Sequence, residues 1–482
     1  MSLRKQAASG VKWMSLSAGA ANALQFAQRV LLARLLVPAD FGLAGMTFVV
    51  VGFADAFADF GVGSAIIQRK TITSKELSSL YWLNIMTGVL ICLLITAAAP
   101  WIAAFFGQER LLRLLPLAAL NFLIVPFGQQ FQVLLQREML FDRLAKIEVF
   151  AQLAGTLAAV SFALAGRGVI ALVWGLLVSA GTRTALLMAL GWRRWAPSLY
   201  FSPQGMSGYL RFGAYRVADF GAFYFASNID TIVIGRYLGP SALGIYSLAL
   251  QLVVWPLTRI NPIISRVAFP VLSKVQDNDS ALGRGFLEMI KLLATFLFPL
   301  LAALGASAPW LIPFVFGAKW ARSVPILQLL IPVGVVKTIA GPCGQVLLAK
   351  GYPELSFLLT ISAGITNTLA YWLVVGSGPS AVALTNSVLS LLFLPLGIWM
   401  VCRVIDLRPV TFIKAIWLPT TMSLLLGFGL YGSYAALSPR GLGHEILLMT
   451  LWLAGLVLYL ALAWRLDRDH VRRVSSLLIG TR

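Results

Sequence analysis

The chain has 482 residues, 59% of them hydrophobic and only 12% charged, with a formal net charge of +20. The surface of a soluble globule carries roughly twice that share of charge, so the composition excludes a soluble enzyme or binding module and leaves a polytopic membrane protein. Such a basic excess in a soluble chain would point to nucleic acid, but here it is first a question of membrane sidedness, and no nucleic-acid partner is expected.

Arg4, Lys5 and Lys12 precede an apolar stretch, much like the basic region of a signal peptide. No small-residue cleavage site follows a short apolar core, so the stretch from Ser9 to Leu36 reads as a retained first helix. Runs long enough to cross about 30 Å of hydrocarbon at about 1.5 Å per residue recur along nearly the whole chain. They predict about fourteen spans, near 9–36, 41–67, 79–105, 111–136, 144–166, 168–192, 209–235, 241–272, 284–316, 321–349, 355–376, 379–402, 410–435 and 443–464. The fold class is therefore an all-α polytopic membrane protein.

One stretch occurs twice. Arg34, Pro38 and Gly42, where an apolar helix ends, turns and starts again, fall at a constant offset on Arg236, Pro240 and Gly244. Gln132-Val-Leu-Leu-Gln-Arg137 returns as Gln345-Val-Leu-Leu-Ala-Lys350, and Gly166-Arg-Gly-Val-Ile-Ala-Leu172 as Gly378-Pro-Ser-Ala-Val-Ala-Leu384, in the same order. Six spans separate the two copies of the turn, an even number, so the two six-helix lobes run in the same direction. Transporters built on such parallel repeats bind their substrates near the midplane, between the halves.

Most of the 38 basic residues fall in alternate loops, among them Arg69, Lys70, Arg193, Arg194, Lys350, Arg403 and the tail after Trp464. Cationic loops stay cytoplasmic, which predicts both termini inside and the Arg34 and Arg236 turns outside. The expected divisions are an N-terminal lobe with its cytoplasmic linker at 1–205, a C-terminal lobe at 206–405, and two peripheral helices with a basic tail at 406–482.

Within the spans stand charges that composition alone does not require: Arg29, Arg183, Arg216, Arg259, Arg266, Lys291 and Lys337, with Asp55, Asp59, Asp219, Asp230 and Glu288. A charge at mid-bilayer costs about 2.5–3.5 kcal/mol on insertion scales, so these face a water-filled cavity or each other. Glu288 with Lys291, and Arg216 with Asp219, are three apart on a helix and can neutralise one another. Lys291, and equally Arg259 and Arg266 in the inner half of their span, can also snorkel. Lys337 and Arg183 lie deeper, with no opposite charge close by in the same helix. Asp55 and Asp59, four apart, share one helix face, an arrangement that suits a proton or cation site or pairing with basic residues of neighbouring helices. The candidate substrate cavity is thus lined by Arg29, Arg183, Arg216, Arg259, Arg266 and Lys337, and candidate coupling of H+ or Na+ falls to Asp55, Asp59, Asp219 and Asp230.

Prolines cluster in the eighth to tenth spans, at Pro256, Pro262, Pro270, Pro299, Pro309, Pro313, Pro325, Pro332 and Pro342, which suggests bent or mobile segments. Cys92, Cys343 and Cys402 stand singly in apolar segments and read as core residues. The two histidines, His444 and His470, lie at a helix end and in the tail, and the sequence shows no metal-ligand spacing, phosphate-cradling glycine loop or nucleophile elbow. Neither an enzyme nor a resident cofactor is expected.

The segment Val30-Leu-Leu-Ala-Arg-Leu-Leu-Val-Pro-Ala-Asp-Phe-Gly-Leu43, followed by Phe60-Gly-Val-Gly-Ser-Ala-Ile-Ile-Gln-Arg69, resembles the N-terminal signature of the polysaccharide transport family of Wzx-type flippases. That family lies within the multidrug/oligosaccharidyl-lipid/polysaccharide exporter superfamily, and Asp230 to Tyr246 resembles its seventh and eighth helices. The resemblance implies a MATE-like arrangement of two six-helix lobes around a central cavity, with two further C-terminal helices. It also implies movement of an undecaprenyl-diphosphate-linked oligosaccharide across the bacterial inner membrane by alternating access, for exopolysaccharide, O-antigen or capsule synthesis. Partners implied are the lipid-linked substrate, membrane lipids and the polymerase or export proteins of such a pathway. A basic cavity fits an anionic diphosphate, for which the donor fork of arginine is suited. A multidrug exporter of the same superfamily and a scaffold without transport remain as alternatives.

Overall fold

The structure, a computed structural model, describes residues 3–58, 73–202, 207–274, 278–437 and 445–466, with the side chains of 3–16, 56, 207–220, 222–223, 262–274, 437, 445–449, 460, 463–464 and 466 outside the described part. Apart from turns, the described chain is helical. The helices are α1 (Leu3–Leu35), α2 (Pro38–Ala58), α3 (Ser74–Phe106), α4 (Leu111–Ala119), α5 (Asn121–Arg137), α6 (Phe141–Leu164) and α7 (Ile170–Gly191). They continue as α8 (Ser207–Lys274), α9 (Asp279–Phe316), α10 (Ser323–Ala349), α11 (Pro353–Val374), α12 (Pro379–Val404), α13 (Pro409–Leu437) and α14 (Glu445–Leu466). Eleven stretches of the described helices are long and apolar enough to cross a membrane; α1, with Arg29, Arg34 and three more basic residues, is not among them. The protein is a multi-pass membrane protein.

The predicted spans coincide with these helices except at two places. The span predicted at 41–67 is described only to Ala58, and the one predicted at 111–136 is divided at Leu120 into α4 and α5; the seventh and eighth spans are two helices that follow one another in α8 and meet at a kink, Gly239 with φ 79°. A left-handed residue admits this break without strain only where a side chain is missing. The prolines expected to loosen the second half lie inside helices: Pro299, Pro309 and Pro313 in α9, Pro332 and Pro342 in α10. Start signals are local. Thr73 and Glu76 form a capping box on α3, and Asn278 caps α9 by accepting from Ala281 N–H at 3.0 Å. α3 and α9 also end alike, on Phe106-Gly107 and Phe316-Gly317, both glycines at positive φ.

The chain separates into two compact units, Met1–Gly244 and Ile245–Arg482. In the first, α1 runs alongside α6, with Leu32 and Leu36 clustered on Ala159, Ala163 and Ala171. α6 and α7 approach closely at Gly155 and Gly175, where a methyl on Gly155 would lie 2.6 Å from the Gly175 carbonyl oxygen. The two copies of the repeated turn meet in this unit. A Cβ on Gly42 would overlap the Pro240 carbonyl, and a Cβ on Gly244 would overlap the Pro38 carbonyl, so each turn occupies the space the other's glycine leaves. Arg236 lies over the Phe105 ring at 5.6 Å, and Asp40, buried in the first turn of α2, accepts from Val37 N–H at 3.3 Å.

After α7 the chain is strapped to the start of α3. Trp195 Nε1 donates to Ser74 Oγ at 3.2 Å, Ser198 N–H to Ser78 Oγ at 3.0 Å, Ser202 N–H to Ser79 Oγ at 3.1 Å, and Trp82 Nε1 to the Ser198 carbonyl at 2.9 Å.

In the second unit the arm of α8 after Gly239 lies parallel to α10. Three contacts set the register: Ser323 Oγ donates to the Ile245 carbonyl at 2.9 Å, Gly334 backs onto Val253, and Gly341 faces Asn261. α13 packs on α9, with Phe412 stacked on Phe286 and Gly427 against Ala302. An apolar cavity of about 470 Å³ opens among α9, α10 and α13, and a smaller one of about 250 Å³ among α10, α11 and α12.

Candidate functional site: charges at the membrane midplane

In the first unit one network of polar side chains spans four helices. Arg183, on α7, donates to Gln132 Oε1 of α5 at 2.9 Å and stands 3.7 Å from Glu148 Oε1 of α6. Both side chains of this ion pair remain open, 40% exposed for Arg183 and 50% for Glu148. One turn further along α6, Gln152 Nε2 donates to Gln28 Oε1 of α1 at 2.8 Å, and Thr156 Oγ1 donates to the same oxygen at 3.1 Å. Arg29, next to Gln28, is half-buried.

As expected, no opposite charge in its own helix answers Arg183; Glu148 answers it from the neighbouring one. The four-residue spacing of Glu148, Gln152 and Thr156 on α6 is the signal for this network, and Glu148 belongs with the intramembrane acids.

On α2, Asp55 is exposed and has no hydrogen-bond or ion-pair partner among the described residues. It stands near an aromatic group in which Phe53 lies 5.2 Å from Phe57 and 6.4 Å from Tyr224. Asp59 lies outside the described residues, as do the side chains of Arg216, Asp219 and Arg266. Asp230 is buried, its Oδ1 accepting from Thr231 N–H at 2.7 Å. Of the turn residues, Arg34 is exposed beside the junction of Pro38 and Gly42 with Pro240 and Gly244 described above.

In the second unit, Lys337 occupies the middle of α10, exposed, with no ion-pair or hydrogen-bond partner among the described residues. The register of α10 against α8 puts Gly341 opposite Asn261, so Arg259 of α8 lies level with Lys337 to within about one helical turn. Arg259 is half-buried at this central height and not at the inner end of its helix. Asn261 Oδ1, just beyond, is buried without a hydrogen-bond partner among the described residues. An ammonium, a guanidinium within about one turn of its height and an amide are groups whose N–H donors suit anions. Two further ion pairs close helix ends within the units, Lys350 with Asp279 at 2.5 Å and Arg194 with Glu138.

Residues 31–325 match the family model described as "Polysaccharide biosynthesis protein". The chain belongs to this polysaccharide biosynthesis family. A member from Bacillus subtilis (strain 168), the teichuronic acid biosynthesis protein TuaB, is 36% identical over 96% of both chains. The lipopolysaccharide biosynthesis protein WzxC of Escherichia coli (strain K12) is 35% identical over 75% of this chain and 73% of its own. Among solved structures, the lipid II flippase MurJ in an inward closed conformation superposes with a TM-score of 0.76, covering 95% of this chain and 99% of that one at 15% identity. The polysaccharide biosynthesis family is thus built here on a MurJ-like helical fold, in line with the resemblance read from the Arg34 and Phe60 segments.

Proposed function

We propose that the protein is a flippase that moves a lipid-diphosphate-linked oligosaccharide across the bacterial inner membrane for assembly of a surface polysaccharide. The family supports this reading, as do relatives named for teichuronic acid and lipopolysaccharide synthesis and a fold shared with a lipid II flippase. The observation that carries it is Lys337, a cation at the middle of a membrane helix, exposed and unanswered among the described residues. Facing lipid it would cost about 2.5–3.5 kcal/mol; facing an anionic headgroup it offsets the cost of bringing a diphosphate to the same depth.

In this reading Arg259 and Lys337 of the second unit hold the diphosphate, and transport proceeds by alternating access. The helices of 406–482 flank the second lobe. Both termini are cytoplasmic, the Arg34 and Arg236 turns face outward, and the protein performs no covalent chemistry. The test is movement of a fluorescent prenyl-diphosphoryl oligosaccharide across proteoliposomes. The parent protein moves it and K337A is at least about tenfold slower, a loss of about 1.4 kcal/mol of stabilisation. No movement by folded parent protein with several glycans would refute the reading.

A further inference from the structure

We propose that Glu148 and Arg183 form a proton-linked anion switch: Arg183 takes an anionic group of the substrate when Glu148 takes a proton, and returns to Glu148 when the proton leaves. The inference rests on the flippase reading only for the identity of the anion.

The geometry is that of a pair built to open. Arg183 is anchored by its 2.9 Å bond to the neutral Gln132 oxygen, whereas Glu148 stands back at 3.7 Å, and both side chains remain about half exposed. A guanidinium has five N–H donors, so the Gln132 bond leaves most of them for a planar, two-oxygen acceptor such as a phosphate. Gln132 holds the cation in place whether or not Glu148 is present. An anion arriving at Arg183 would meet the Glu148 carboxylate at the same spot, and two negative charges inside a membrane are tolerated only if one is neutralised. A proton on Glu148 does this with no movement of the helices.

Among the described residues, the other charges on the helices packed around this pair can be named. Arg183 is the only charged residue of α7, and α5 has only Arg137, at its last position. α1, which lies against α6 through Gln28 and Leu32, brings Arg29, one residue from Gln28. On α6 itself Asp142, Arg143 and Lys146 occupy the two turns before Glu148. Of these groups, Glu148 is the acid that faces Arg183 directly. The coupling residue assigned is Glu148 in the first unit, beside the candidates Asp55, Asp59, Asp219 and Asp230.

The experiment uses the full-length protein in nanodiscs with farnesyl-diphosphoryl-N-acetylglucosamine, whose two phosphates each keep one charge between pH 6 and 8. Affinity of the parent is expected to rise as pH falls, toward the limit of about tenfold per pH unit for one linked proton. Calorimetry in two buffers of different ionisation enthalpy should count about one proton taken up per molecule bound. E148Q, which lacks the titrating group, should bind at the parent's tightest level with no pH slope. E148D should keep the slope, and R183Q should bind at least about tenfold more weakly at every pH. The switch is overturned if the parent binds without proton uptake, if E148Q keeps the parent's slope, or if Na+ and not pH governs affinity. Folded parent protein that does not bind the probe at all overturns both the switch and the flippase reading, which separates the two failures.

Discussion

The two units treat a cation in the middle of the membrane in opposite ways. In the first, Arg183 is held between the Gln132 amide and the Glu148 carboxylate, contributed by two other helices. In the second, Lys337 stands exposed at the centre of α10 with no partner among the described residues. The repeated turns show the reverse. Gly42 and Gly244 are interchangeable in their role, each vacating the volume filled by the other turn's proline carbonyl. Duplication of a fold thus keeps symmetry where backbone must fit backbone and loses it where side chains must do different chemistry.

The sharpest way to break this comparison is at the symmetric contact. G42A and G244A each force a methyl into a backbone carbonyl, and each should lower stability by about 1–3 kcal/mol, with similar losses in thermal midpoint for the two. Unequal losses would show that the contact is symmetric in shape only. Next is the unpaired cation. K337A should slow transport at least about tenfold with little change in thermal midpoint, and K337R should recover most of the rate, because here a charge and not a fitted contact is required.

The paired cation should respond differently. R183A leaves Glu148 without its partner and should be less stable than the double variant R183A/E148Q by about 1 kcal/mol, kept modest by the exposure of both groups. Equal stability of the two would mean that the pair contributes nothing beyond its separate side chains. The smallest effect belongs to Gly181, in the same helix as Arg183, around which a Cβ would meet nothing within 4 Å. G181A should be neutral or stabilising by up to about 1 kcal/mol, which controls for helix propensity in the glycine series.

The helices were legible in the sequence because each crossing needs a long apolar run, and charged turns mark where one run stops. Lys337 and Arg183 stood out for the same reason, as charges where hydrocarbon should be. The partner of Arg183 did not, because spacing along one helix carries no information on the register between helices. Glu148 follows closely on Asp142, Arg143 and Lys146 and so reads as part of an interfacial cluster. Only the antiparallel packing of α6 on α7, fixed by Gly155 and Gly175, turns it toward Arg183. Likewise, the sequence does not show that Arg259 lies level with Lys337 to within about one turn, which the Gly341 and Asn261 contact supplies. Asp230 had the composition of a coupling residue, and its burial beside Thr231 is a property of packing that no motif displays.

The strap after α7 changes what the connection to α8 can do. With Trp195, Ser198 and Ser202 bonded to the first turns of α3, only residues 203–206 separate the last of these bonds from α8. Four residues pulled straight span at most about 14 Å. Any larger excursion of the first turn of α8 has to unfasten the strap in sequence, Ser202 first, then Ser198, then Trp195. The linker then works as a zip fastener with a graded resistance, and its stops are the serine hydroxyls of α3.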